Sequence, residues 1–155
     1  MALISVVAIR RVASTTLSKV RIKNMPEQVI LCVDDEEIVL NSLEMQLKEQ
    51  LGEKYLYEFA ENAEDALEII EELAEENIEI LIIISDWLMP GLKGDEFLIK
   101  VHQKFPKTLK VLLTGQADEK AVERAKNQAN LLMCIHKPWE TSELIETIKS
   151  GLATM

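Results

Sequence analysis

The sequence predicts an α/β fold: a doubly wound parallel sheet with helices on both faces. Three observations carry this. Short apolar runs alternate with stretches of helical periodicity, five of each, from Met25 onward. The connections between them are short, which favours right-handed crossovers between parallel strands. The middle run, Ile78 to Ser85, is apolar at consecutive positions, as a strand covered on both faces should be.

In chain order, Val29 to Val33 is a β-branched run that stops at Asp34-Asp35. Glu36 to Gln50 reads as a helix, because Ile38, Val39, Leu43, Leu47 and Leu51 recur at helical spacing and Gly52 can end it. Tyr55 to Ala60 is a second strand, ending at an edge in Ala60-Glu61. Asn62 can cap a helix that places Ala66, Leu67, Ile70 and Leu73 on one face. Ile78 to Ser85 follows as the central strand. Lys93 to Lys104 is helical and is closed by Phe105-Pro106. Leu109 to Thr114 is a strand, and Asp118 to Ala129 is a helix with Asp118 as its cap. Leu131 to His136 is the last strand. A final helix starts at Thr141 or Ser142, beyond Pro138, and runs to about Leu152.

Composition narrows the function. At 155 residues and 48% hydrophobic, the chain supports one packed domain. A net charge of −10 opposes direct nucleic-acid or anionic-membrane binding. Residues 1–24 differ: Arg10, Arg11, Lys19, Arg21 and Lys23 face no acidic residue, giving +5 there and leaving −15 for residues 25–155. That segment resembles a transit peptide or a tail for an acidic surface. The simpler reading is a non-native start before Met25, with poor packing on a domain of residues 25–155. The opening apolar run precedes its arginines, the wrong order for a secretory signal, and no run is long enough for a membrane span. Cys32 and Cys134 lie in apolar stretches without metal-ligand spacing, and fit buried thiols in a cytoplasmic protein.

In such sheets the chemistry lies beyond the carboxyl ends of the strands. There the sequence delivers Asp34-Asp35, Asp86, Thr114-Gly115 and His136-Lys137-Pro138. Three carboxylates in one pocket need a counter-cation, and an open set of oxygen ligands points to Mg²⁺. Lys137 and Thr114 suit phosphoryl oxygens, and a carboxylate is the available nucleophile, with Asp86 on the central strand the first choice. Each residue also has a plain explanation. Asp34-Asp35 can cap a helix, Asp86 can be an Asx-turn residue before Pro90-Gly91, Lys137 can be a surface lysine and Thr114 a strand residue. Capping, however, does not call for a lysine after the fifth strand.

Four motifs, V-D-D (Val33–Asp35), D-W-L-M-P-G-L-K-G (Asp86–Gly94), L-L-T-G (Leu112–Gly115) and K-P-W (Lys137–Trp139), occur in order at those ends. Over about residues 27–152 the chain resembles the CheY-like receiver domain of two-component response regulators. The resemblance implies a flavodoxin-like (βα)5 sheet of strand order 2-1-3-4-5. It implies that Asp86 is the phosphoacceptor, that Asp35 and Asp86 ligate Mg²⁺ directly with Asp34 holding a metal-bound water, and that the Leu88 carbonyl completes the ligands. It implies that Lys137 pairs with the phosphoryl group, that the Lys137–Pro138 bond is cis, and that Thr114 moves to the phosphoryl group as the switch. The expected partners are a sensor histidine kinase or phosphotransfer protein, and an output protein or domain. The L-L-T-G-Q-A-D and K-P-W wording resembles receivers acting with cyclic-dinucleotide phosphodiesterase or phosphatase-type outputs. The expected protein is a phosphorelay switch and not a turnover enzyme on an external substrate.

One departure stands out. Receivers carry a Tyr or Phe three residues before the lysine, where this chain has Cys134. That motivates an alternative, a non-phosphorylated docking module (a pseudo-receiver) that keeps the acidic pocket. An aspartyl-phosphate hydrolase ranks last, since no cap insertion or substrate pocket is evident. Trp139 reads as a core or groove residue, His102 as a surface residue, and His136 as pointing away from the site.

Overall fold

A computed structural model describes residues 28–116 and 118–155. The basic segment 1–24 and the proposed start at Met25 lie outside the described residues.

Five parallel strands form one sheet in the order β2-β1-β3-β4-β5. They are β1 (Gln28–Val33), β2 (Leu56–Ala60), β3 (Glu79–Ser85), β4 (Leu109–Thr114) and β5 (Met133–His136). Between them run α1 (Glu37–Leu51), α2 (Ala63–Glu75), α3 (Gly94–Lys104) and α4 (Glu119–Gln128), with α5 (Thr141–Ala153) last. A short 3₁₀ turn, Gly52–Lys54, follows α1. Gly52 sits at φ 72°, a conformation in which a side chain is strained, so it ends α1 where the sequence suggests.

Local signals place the helix starts. Asn62 Oδ1 accepts the Asp65 backbone N–H at 2.7 Å and caps α2. Asp118 Oδ1 does the same for Lys120 at 3.3 Å at the start of α4. The remaining boundaries fall within two residues of the sequence reading at each end, because the last turn of an element is fixed by neighbours more than by pattern.

Side chains alternate across the sheet and build two cores. On one face Val29, Leu31, Val33, Ile83 and Leu112 meet α2, α3 and α4 through residues such as Ile70, Phe97 and Ala125. On the other, Ile30, Cys32, Ile82, Ile84, Val111 and Leu113 meet Leu40, Leu43 and Leu47 of α1 and Leu144 and Ile148 of α5. Each large side chain buried this way contributes roughly 2 kcal/mol of transfer free energy. Ile38 differs from the sequence pattern: it is 76% exposed, and Leu40 takes the buried place. The i, i+3, i+7 row Leu40-Leu43-Leu47 is the one that faces the sheet. Among the described residues, no helix is long and apolar enough to cross a membrane.

Candidate functional site

Strand register assembles the site. Val33 of β1 pairs with both Ala60 and Ser85, so Asp34 and Asp86 leave adjacent strands side by side. Backbone bonds extend the ladder past the strand ends: Asp86 N–H donates to Val33 O at 2.8 Å and Asp34 N–H to Ala60 O at 3.1 Å. On the other side, Thr114 pairs with His136, and Lys137 N–H donates to Thr114 O at 3.0 Å. The Lys137–Pro138 peptide is cis. An open cavity of about 370 Å³ is lined by Asp35, Glu36, Asp86, Leu88, Thr114 and Lys137, together with Gly115 and Gln116.

Carboxylate oxygens of Asp34, Asp35 and Asp86 lie within 4.8 Å of one another. Lys137 Nζ sits 2.7 Å from Asp34 Oδ2, 3.5 Å from Asp86 Oδ1 and 3.7 Å from Glu36 Oε1. Asp34 also accepts the Glu36 backbone N–H at 2.9 Å, so one buried carboxylate both caps the turn and faces the lysine. Leu88 lines the pocket beside Asp86, and Thr114 is buried at the end of β4.

Burial dominates the electrostatics of the two buried carboxylates. It raises the pKa of Asp34 above the ordinary carboxylate range, against the hydrogen bonds from Lys137 and the Glu36 N–H. It raises Asp86 likewise, against the Lys137 charge, the Trp87 N–H and the Thr114 side chain, while Asp35 adds to the rise. For Lys137, burial pushes down, but the bond to Asp34 and the charges of Asp34, Asp86 and Glu36 outweigh it and hold the ammonium above its ordinary value. The clustered Asp34, Asp35 and Asp86 have only Lys137 as a nearby cation, and it meets just Asp34 and Asp86 of them, so the excess of negative charge suits a divalent cation among hard oxygen donors.

The loop after Asp86 is closely fitted. A Cβ on Gly94 would collide with the Asp86 carbonyl oxygen and lie 2.8 Å from Trp87 Cα, so only glycine lets α3 start there. Met89 is buried, and Gly91 turns the chain at φ 79°.

Two features escaped the sequence reading. Asp95 is fully buried, although a carboxylate in the first turn of a helix has an ordinary surface explanation; its place one turn before buried Leu98 was the available signal. Lys110 is buried in β4, and His102, read as a surface residue, is half-buried with its Nδ1 2.8 Å from Lys110 Nζ. Cys134 is half-buried and, with His136, lines a groove against α4 and away from the acidic cavity. Burial raises the thiol pKa of Cys134 and of fully buried Cys32, but only Cys32 is the core thiol the sequence suggests; Cys134 is half-buried at the groove. Trp139 lies in the groove between α1 and α5, its Nε1–H donating to Gln46 Oε1 at 2.8 Å.

Solved receiver structures share this fold. The signal receiver domain of an HD domain-containing protein from Pseudomonas fluorescens Pf-5 is 30% identical with a TM-score of 0.73, over 82% of this chain and 95% of that one. A CheY-like response regulator receiver domain protein from Methanospirillum hungatei JF-1 is 31% identical with a TM-score of 0.71, over 82% and 94%. The chain belongs to the response regulator receiver domain family, which matches residues 30–149. It is also 32% identical over 123 residues to the hydrogenase transcriptional regulatory protein HoxA of Bradyrhizobium diazoefficiens. That match covers 79% of this chain and 24% of the relative, so the chain spans about a quarter of that protein's length.

Proposed function

We propose that the protein is a phosphorylatable switch in a phosphorelay. Its carrying observation is the convergence, in one open cavity, of Asp86, Thr114 and a lysine shared between Asp34 and Asp86. An oxygen of Asp86 attacks the phosphorus of a phosphohistidine on a sensor histidine kinase or phosphotransfer protein. The P–N bond breaks, the imidazole leaves with the electron pair, and an aspartyl phosphate forms. Lys137 exchanges part of its interaction with Asp86 for the transferred group's oxygens, and the Thr114 hydroxyl donates to another of them. Water later attacks the acyl phosphate and resets the switch, so the chain is not a turnover enzyme on an external substrate.

The donor set fits Mg²⁺: three carboxylates within 4.8 Å, all oxygen, facing an open pocket. Asp35 and Asp86, the Leu88 carbonyl, and Asp34 through a bound water would hold it. Mg²⁺ bound there neutralises charge on the phosphoryl oxygens.

The switch acts in the cytoplasm on a partner protein or domain. The HoxA relative is named a transcriptional regulatory protein, and the Pseudomonas receiver comes from an HD domain-containing protein. The L-L-T-G-Q-A-D and K-P-W wording favours a cyclic-dinucleotide phosphodiesterase or phosphatase-type output. The acidity of the chain argues against its touching nucleic acid directly.

Acetyl phosphate with Mg²⁺ should add one phosphoryl group by intact-mass spectrometry, and Asp86→Asn should add none. A wild type that stays unmodified, or an Asp86→Asn variant that is still modified, overturns the reading. Cys134 favours a second reading, a docking module that ignores phosphorylation. On that reading partner affinity is the same with and without beryllofluoride and Mg²⁺.

A further inference from the structure

Asp95 belongs to no part of the phosphoryl site, yet it is fully buried and satisfied from two other elements. Its Oδ1 accepts the Trp87 indole N–H at 2.9 Å, and its Oδ2 accepts from Arg124 Nη2 of α4, also at 2.9 Å. Trp87 follows Asp86 in the chain, and its backbone N–H donates to Asp86 Oδ1 at 2.8 Å. The indole is held from a second side: Lys93 Nζ lies 4.9 Å from the ring centroid. The Trp87 carbonyl accepts the Gly94 N–H at 2.8 Å, which fixes the same residue to the start of α3.

These contacts form one chain. Asp86 is held by the Trp87 backbone, the Trp87 ring by Asp95, and Asp95 by Arg124. Asp95 has no exposed surface through which water could replace a partner, so it keeps both. Arg124 is half-exposed and stands on α4. The groove that contains Cys134 is walled by the same helix, through Glu119, Val122 and Lys126.

We propose that Asp95 is a positioning residue for the acceptor: it fixes the Trp87 ring, and with it the N–H offered to Asp86, and ties both to α4 through Arg124. The link gives the site a route to the α4 groove that does not pass through the aromatic position Cys134 occupies. The consequence for phosphoryl uptake rests on the function proposed above; the mechanical link does not.

The test uses the full chain labelled with ¹⁵N, following the Trp87 backbone amide and indole N–H by NMR, with Trp87→Phe to identify the indole signal. Arg124→Gln keeps an N–H donor for Asp95 but removes the cation beside a fully buried carboxylate, so its Tm is expected to fall, and far-UV circular dichroism checks that the variant folds. It is expected to shift both Trp87 signals and to slow phosphoryl uptake from acetyl phosphate by about fivefold, with Arg124→Lys restoring part of each. Leu47→Ala, which weakens the core on the opposite face, should leave both signals in place despite a lower Tm. Unmoved Trp87 signals in Arg124→Gln, or equal shifts in Leu47→Ala, overturn the link. Shifted signals with an unchanged uptake rate overturn the positioning role. A wild type that takes up no phosphate counts against the proposed function instead, and the NMR shifts still decide the link.

Discussion

Two lysines, Lys137 partly buried and Lys110 fully buried, show how one side chain is put to opposite ends. Lys137 follows β5 among Asp34, Asp86 and Glu36, and its pKa is raised. Lys110 lies in β4, below the site, and its Nζ meets the His102 ring and, at 3.5 Å, the carbonyls of Phe105 and Pro106. Among the described residues no carboxylate pairs with Lys110, and burial lowers its pKa to about 8. The difference teaches that burial alone does not make a functional lysine. Charge partners decide whether the ammonium is a tool or a cost.

Removing each lysine's charge should therefore act in opposite directions. Lys137→Met is expected to slow phosphoryl uptake about 100-fold, the scale of losing a preorganised charge at a transition state. It should also destabilise the Mg²⁺-free protein by roughly 3 kcal/mol, because Asp34 is left buried without its cation. Rapid-quench kinetics and urea unfolding measure the two. Unchanged stability would mean that the excess acid, not the pairing, governs the site.

Lys110→Met should instead stabilise the protein at pH 7, by about 2 kcal/mol in urea unfolding. The pH dependence has a definite sign. Between about 8 and 10.5 the folded lysine is losing its proton while the unfolded one keeps it, so the unfolded state binds more protons and stability rises with pH. Below 8 the cost is fully present. His102 faces the same ammonium, and its own pKa is lowered by burial and by Lys110, so it stays neutral over this window and adds no slope. The rise should vanish in Lys110→Met; its persistence would assign it to another group.

Asp86→Asn removes one of three crowded carboxylates and should stabilise the Mg²⁺-free protein by about 1 kcal/mol, read as a higher Tm. The smallest effect belongs to an exposed lysine with a partner. Lys104 Nζ lies 2.7 Å from Glu71 Oε1, yet both are more than half exposed, and Lys104→Ala should change stability by less than about 0.5 kcal/mol.

The same contrast marks what the sequence could disclose. The sheet was legible because short β-branched runs such as Ile82-Ile83-Ile84, set between helical stretches, suit strands covered on both faces. Asp34, Asp86, Thr114 and Lys137 were legible because each sits at a strand end, where topology brings chemistry together. Lys110 was not: inside L-K-V-L-L-T a single lysine on a strand reads as an outward residue, and only the cover of α3 turns it inward. Ile38 erred the other way, since apolar type does not say which row of a helix meets the sheet. Asp95 hid behind a sound local reason for an acid at a helix start. Tertiary partners from distant elements assign these residues, and spacing along the chain does not carry that information.

The central claim, that Asp86 is the acceptor among three neighbouring carboxylates, has one direct test. The wild-type chain is treated with acetyl phosphate and Mg²⁺, and borohydride then reduces any aspartyl phosphate to homoserine for peptide sequencing by mass spectrometry. Conversion at Asp86, with Asp34 and Asp35 intact, is the expected result. Conversion at Asp34 or Asp35, or a phosphorylated chain with Asp86 untouched, would contradict the account.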